Sequence, residues 1–143
     1  TRGVRRLLKR LHDEFKLPVY VLVDGDPWGV YIYSVIKYGS ISLAHMSDSL
    51  AIPSARLIGL TADDVEKYGL ERHLIKFKDI DKKRIKQISN YEWFRDNKPW
   101  QRQFTKWKKL NGKVELAALT ANGLSFMSQT YLPEKIKKKE FLD

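Results

Sequence analysis

Apolar positions along this chain change period, and the changes mark out its elements. Val4, Leu7, Leu8, Leu11 and Phe15 recur at helical spacing, with Arg2, Arg5, Arg6 and Lys9 on another face. Residues 3–16 therefore predict an amphipathic helix with a basic stripe. Lys16-Leu-Pro18 ends it, because a proline disfavours helix in the residue before it. Val19 to Val23 is short, continuous and β-branched, the pattern of a strand buried on both faces of a parallel sheet. It runs into Asp24-Gly-Asp26-Pro-Trp-Gly29. Asp26 can cap the next helix with Pro27 at its first position. That helix reaches about Tyr38, with Ile32, Val35 and Ile36 expected on its buried face and Gly39 as its C-cap.

The second half of the pattern is more helical. Ile41 to Leu43 reads as a short strand and His45 to Leu50 as a helical turn. Ala55 to Leu60 predicts a second core strand, and Thr61-Ala-Asp-Asp64 a capping box opening a short helix that Gly69 closes. Strand, helix and strand in that order predict a parallel α/β unit. Beyond residue 70 there is almost no strand signal. Asp81 is expected as an N-cap, with Ile80 and Ile85 as a hydrophobic staple. Residues 98–110 predict a helix whose Trp100, Phe104 and Trp107 share a face. A helix over 114–121 and a last one over 124–131 follow, before Pro133 and a basic tail of Lys135 and Lys137 to Lys139. The expected organisation is an α/β core over residues 1–70 and a helical remainder of the same domain over 71–143.

Composition narrows the possible functions. The chain has 143 residues, enough for one domain with a real core. No apolar run is long enough to span a membrane. The chain does not begin with methionine and reads as a fragment or a processed chain. Without cysteine it has no disulfides, no thiol nucleophile and no Cys-type zinc site, which fits a reducing cytosol. The formal net charge of +10 favours a polyanionic partner, nucleic acid before an anionic membrane surface. A lysine-rich surface tuned for solubility gives the same number.

Few residues offer chemistry. His12, His45 and His73 have no ligand-spaced partners, so no zinc motif is present. No glycine-rich phosphate loop occurs. The Trp100, Phe104, Trp107 stripe has the helical spacing of a core face rather than of a base-stacking platform. Asp24 and Asp26 stand apart. Chemistry in parallel sheets sits beyond the carboxyl ends of strands, and both acids are there. At about 4 Å and an effective dielectric near 20, their repulsion is about 4 kcal/mol, which water, a proton or a cation must offset. Mg²⁺ suits such a pair, because it takes one or two carboxylates together with substrate phosphates. An Asp-Gly turn with Asp26 as a cap and Asp24 solvated suits it equally, and spacing alone leaves both readings open.

Asp24-Gly-Asp26-Pro-Trp-Gly29 matches DxDxxG, the second acidic motif of Toprim domains. The longer run from Asp24 to Ser40 resembles the family of topoisomerase VI A subunits, the archaeal type IIB enzymes, to which the meiotic double-strand-break protein also belongs. Leu43-Ala44-His45, Ala55 to Leu60, Asp64 to Gly69, Lys113 to Leu119 and Thr130 to Lys135 resemble it too. The resemblance covers almost the whole chain.

The resemblance implies a Toprim-like α/β fold, a parallel sheet flanked by helices with a helical C-terminal part, here lacking the first strand. It implies part of a DNA topoisomerase in which Asp24 and Asp26 are catalytic and bind Mg²⁺. The Toprim glutamate belongs to an earlier strand, before the start of this chain, and the winged-helix domain that carries the attacking tyrosine is missing. The fragment is therefore expected not to cleave alone. Implied partners are double-stranded DNA, another copy of the A subunit, and the ATP-driven B subunit in an A2B2 holoenzyme, with ATP used only through B. The implied location is the cytoplasm of an archaeon, at the nucleoid. Arg5 and Arg6 are the expected phosphate contacts. Ala117 replaces the glutamine usual in the family. Other readings are a different Toprim nuclease or primase, and a non-catalytic basic nucleic-acid-binding module. Trp28 stands where a DxD phosphatase would carry threonine.

Overall fold

A computed structural model describes residues 2–39 and 50–143. Helix α1 spans Arg2–Phe15, strand β1 Tyr20–Leu22, α2 Pro27–Tyr38, β2 Arg56–Gly59 and α3 Ala62–Lys67. Then come β3 Ile75–Lys76, α4 Asp79–Ser89, α5 Glu92–Arg95, α6 Lys98–Leu110 and β4 Gly112–Lys113. A 3₁₀ segment (Leu116–Asn122) and a π turn (Met127–Tyr131) lead into α7, Leu132–Lys138. The strand expected at 41–43 and nearly all of the turn at 45–50, with His45, lie outside the described residues.

The fold is mixed α/β around a parallel pair. Tyr20 pairs with Arg56, Val21 with Leu57 and Leu22 with Gly59. Successive side chains of a strand point to opposite faces, and here both faces are core. Val21 and Leu57 join an aromatic cluster with Tyr33, Phe94, Trp100 and Phe104. Leu22 and Ile58 join another with Val65, Trp107, Leu119 and Tyr131. An antiparallel bridge from Leu142 covers the other side of Leu57. The residues of α6 are shared between the clusters, so the helical second half packs directly on the sheet.

The local signals at helix ends hold. Thr61 Oγ1 accepts the Asp64 N–H (3.3 Å) and the Asp64 carboxylate accepts the Thr61 N–H (3.0 Å), a reciprocal capping box. Gly69, with φ 66°, takes the left-handed conformation that ends α3.

Several expectations are corrected. In α1, Val4, Leu7 and Phe15 are exposed, while Arg5 donates to the Val35 carbonyl and Lys9 to that of Ala51. These two bonds fix the rotation of the helix and turn part of its apolar stripe outward. The buried face of α2 is Val30, Tyr33, Ser34 and Lys37, and Ile32 is exposed. The N-cap of α4 is Lys78; Asp81 is the third helical residue and accepts the Lys78 N–H at 2.9 Å. Ile80 is exposed and forms no staple. β3 and β4 pair antiparallel, Ile75 with Lys113 and Lys76 with Gly112, where no strand was expected. The segment after β4 is 3₁₀ rather than α-helical, and Pro133 sits in the first turn of α7 instead of preceding a tail. Lys135 is buried.

Candidate metal and nucleic-acid site

The acidic turn is held from both sides. Val23 donates to Gly59 and accepts from Leu60, so pairing with β2 continues to the residue before Asp24. Gly25 then pairs with Val114 through two backbone hydrogen bonds of 2.8 and 3.1 Å. A Cβ on Gly25 would lie 2.8 Å from both Trp107 and Val114, so only glycine lets the turn sit this deep. By strand alternation, Asp24 and Asp26 project to the opposite side from these packed groups.

Each aspartate is oriented by one backbone N–H. Asp24 Oδ1 accepts from Leu116 at 2.7 Å. Asp26 Oδ1 accepts from Gly29 at 2.6 Å, capping α2, which starts at Pro27. Among the described residues, the second oxygen of each carboxylate has no protein donor. Burial pushes the Asp26 carboxyl above its ordinary value; the Gly29 N–H opposes this and the charge of Asp24 adds to it.

Lys113 and Asp81 stand close enough for their charges to act on Asp26. Lys113 Nζ lies 3.0 Å from Asp81 Oδ2, which also accepts the Lys78 N–H. Sequence reasoning did not place Lys113, Leu116 or Asp81 at the acidic turn. The only available signal was the Lys113-Val-Glu-Leu run, whose importance rested on resemblance; Leu116 is 92 residues from Asp24. Arg5 is not brought to the turn. It is held at Val35, nine residues along α2 from Asp26, or about 13 Å at helical rise. Arg6, beside it on α1, is exposed.

The donor set discriminates among cations. Two carboxylates each keep a free oxygen, and no third His, Cys, Asp or Glu joins them among the described residues. That suits a hard ion that completes its shell with water and phosphate oxygens, as Mg²⁺ does. It does not suit a cation caged wholly by protein, such as structural zinc.

This arrangement, an acidic turn beyond a parallel strand strapped by a later segment, is that of a Toprim domain. Residues 1–136 match the family model for the Toprim domain of Spo11 and the topoisomerase 6 A subunit. The chain belongs to this family. Similar curated proteins are each named as the A subunit of type 2 DNA topoisomerase 6. Those of Pyrococcus abyssi and Pyrococcus horikoshii are each 46% identical over 99% of this chain and 40% of their own length. That of Methanocaldococcus jannaschii is 44% identical over 95% of this chain and 37% of its length. The chain thus spans about 40% of the relatives it matches.

Proposed function

We propose that this chain is the Mg²⁺-binding Toprim portion of a DNA-cleaving A subunit, supporting tyrosine-mediated double-strand cleavage and religation. The observation that carries the reading is the acidic turn, where each of Asp24 and Asp26 is fixed through one carboxylate oxygen while the other has no protein donor among the described residues. These two residues would hold the cation. Held by Asp24 and Asp26, Mg²⁺ would supply positive charge to a DNA phosphate and to the oxygen that leaves it. The chain's own contribution is orientation: the Leu116 and Gly29 N–H groups hold the carboxylates without neutralising them.

The attacking tyrosine comes from a region of the whole protein outside this chain, so the chain alone does not cleave. Double-stranded DNA is the substrate. The working assembly is an A-subunit dimer with two ATP-driven B subunits, and ATP acts only through B. The named relatives and the net charge of +10 support DNA as the partner. A DNA substrate and the named relatives support a location at the nucleoid, in the cytoplasm of an archaeon. No described helix is long and apolar enough to cross a membrane.

The test is an NMR Mg²⁺ titration of the chain and of Asp24→Asn/Asp26→Asn. Saturable shifts centred on residues 24–29 and Leu116, lost in the variant, are expected. Their absence from the wild-type chain calls for the titration to be repeated with the upstream glutamate strand restored, and absence there too overturns the metal assignment. Replacement of both aspartates in the full-length protein, assembled with its B partner, should abolish DNA cleavage. Unchanged cleavage would leave only a non-catalytic binding module.

A further inference from the structure

Trp28 lies two residues beyond Asp26, in the first turn of α2, and is 51% exposed. Its ring stacks on Tyr31 with centroids 5.1 Å apart. The guanidinium of Arg84 sits over it, 4.9 Å from the ring centroid. Arg84 is three residues after Asp81 on α4, so the two share a helix face. Asp81 pairs with Lys113, and both act on Asp26. Three elements therefore place Arg84 beside the acidic turn.

The charges around the turn are unequal in kind. Asp24, Asp26 and Asp81 are negative, and the Lys113 ammonium is already engaged by Asp81. Before a metal ion is bound, a polyanion approaching this edge meets net repulsion unless a protein cation faces it. None of the ion pairs among the described residues includes Arg84. Contact with a ring face restrains a guanidinium while using none of its N–H donors. Those donors form a planar fork that matches a phosphate, and they keep their full charge.

We propose that Arg84, positioned by Trp28, binds a backbone phosphate of double-stranded DNA alongside the acidic turn. The inference rests on the DNA-binding reading given above and adds to it a protein cation, beside the metal, that holds a neighbouring phosphate. It adds a contact on α4 to those expected at Arg5 and Arg6 on α1.

The test is the binding of a fluorescent DNA duplex to this chain by anisotropy over a range of salt concentrations. Removing one phosphate contact lowers the slope of log K against log salt by about 0.9, so raising salt from roughly 50 to 200 mM costs about 3.5-fold less affinity. Arg84→Gln should show that loss of slope. Arg84→Lys should keep the slope yet bind more weakly than wild type, since an ammonium lacks the planar fork. Trp28→Ala should also weaken binding with the slope retained, a result that loss of a counter-charge does not produce. Salt-dependent binding by wild type with an unchanged slope in Arg84→Gln overturns this inference and leaves the DNA reading intact. Absence of salt-dependent binding by wild type overturns both.

Discussion

The Lys135 ammonium and the Asp64 carboxylate lie 2.6 Å apart with 4% and 1% of their side chains exposed. Asp64 Oδ1 meets the ammonium as an ion pair, without an aligned hydrogen bond. Its Oδ2 accepts from the Tyr131 hydroxyl (2.6 Å) and the Thr61 N–H (3.0 Å). Burial first, and then the charge of Asp64, push the Tyr131 phenol far above its ordinary value, so it remains a donor at any physiological pH. This network ties α7 to the start of α3. Removing one member strands a buried charge, so Lys135→Met should cost about 3–5 kcal/mol. Asp64→Asn/Lys135→Met should cost less than the sum of the single changes. Chemical denaturation of the four proteins measures both, and additivity would show that the pair is not coupled.

Gly29 closes the acidic motif for a steric reason. A Cβ there would run into the Asp24 carbonyl oxygen, a backbone atom with no rotamer to escape through. Gly29→Ala should destabilise the chain by about 1–3 kcal/mol, as overpacking does. It should also disturb the Mg²⁺-dependent shifts, because Asp24 moves. Gly3→Ala, which meets nothing within 4 Å, is the control and should not lower stability. Urea midpoints and the Mg²⁺ titration read the two effects.

Asp81 supplies an acid-sensitive contribution beside the site. Burial alone would raise its carboxyl, but the Lys78 N–H and the Lys113 ammonium outweigh it and hold the carboxyl below the ordinary 3.8. A folded-state value below the unfolded one means stability that is complete above 3.8 and lost as pH falls through the folded value. Asp81→Asn should therefore cost on the order of 1 kcal/mol at neutral pH. The difference from wild type should shrink toward zero in acid. A constant difference across pH, measured by thermal melting, would locate the effect in shape rather than charge.

What could be read from the sequence was local. The caps at Asp26 and Thr61, the buried strands and the aromatic face of α6 all follow from residue type and spacing within about a turn or two. The phase of α2 did not, because the helix is apolar on nearly every side. Its rotation is set by Lys37, whose ammonium is drawn inward by the Ala55 carbonyl (2.8 Å) and by Asp143, 106 residues away. Lys135 looked like part of a solvated tail for the same reason: its partner is not nearby in the chain. The β3–β4 pair has two residues in each strand, too few for a period, and joins positions far apart in sequence. At the site, the two aspartates were visible, while the Leu116 N–H and Lys113 reach them only through the fold.

Trp100 separates a core role from a nucleic-acid role for the aromatic stripe of α6. It is 2% exposed, and its ring lies 4.8 Å from Phe94 and 5.6 Å from both Tyr33 and Phe104. Its indole N–H has no partner among the described residues, so the residue contributes through packing alone. Trp100→Ala should cost about 3–5 kcal/mol. Trp100→Phe keeps most of the contacts, removes the unpaired N–H and should cost clearly less. At temperatures where Trp100→Ala is still folded, its affinity for duplex DNA should match wild type, because the ring is enclosed on every side. A loss of affinity in the folded variant would instead place the stripe on the DNA-binding surface, and anisotropy beside a melting curve decides between the two.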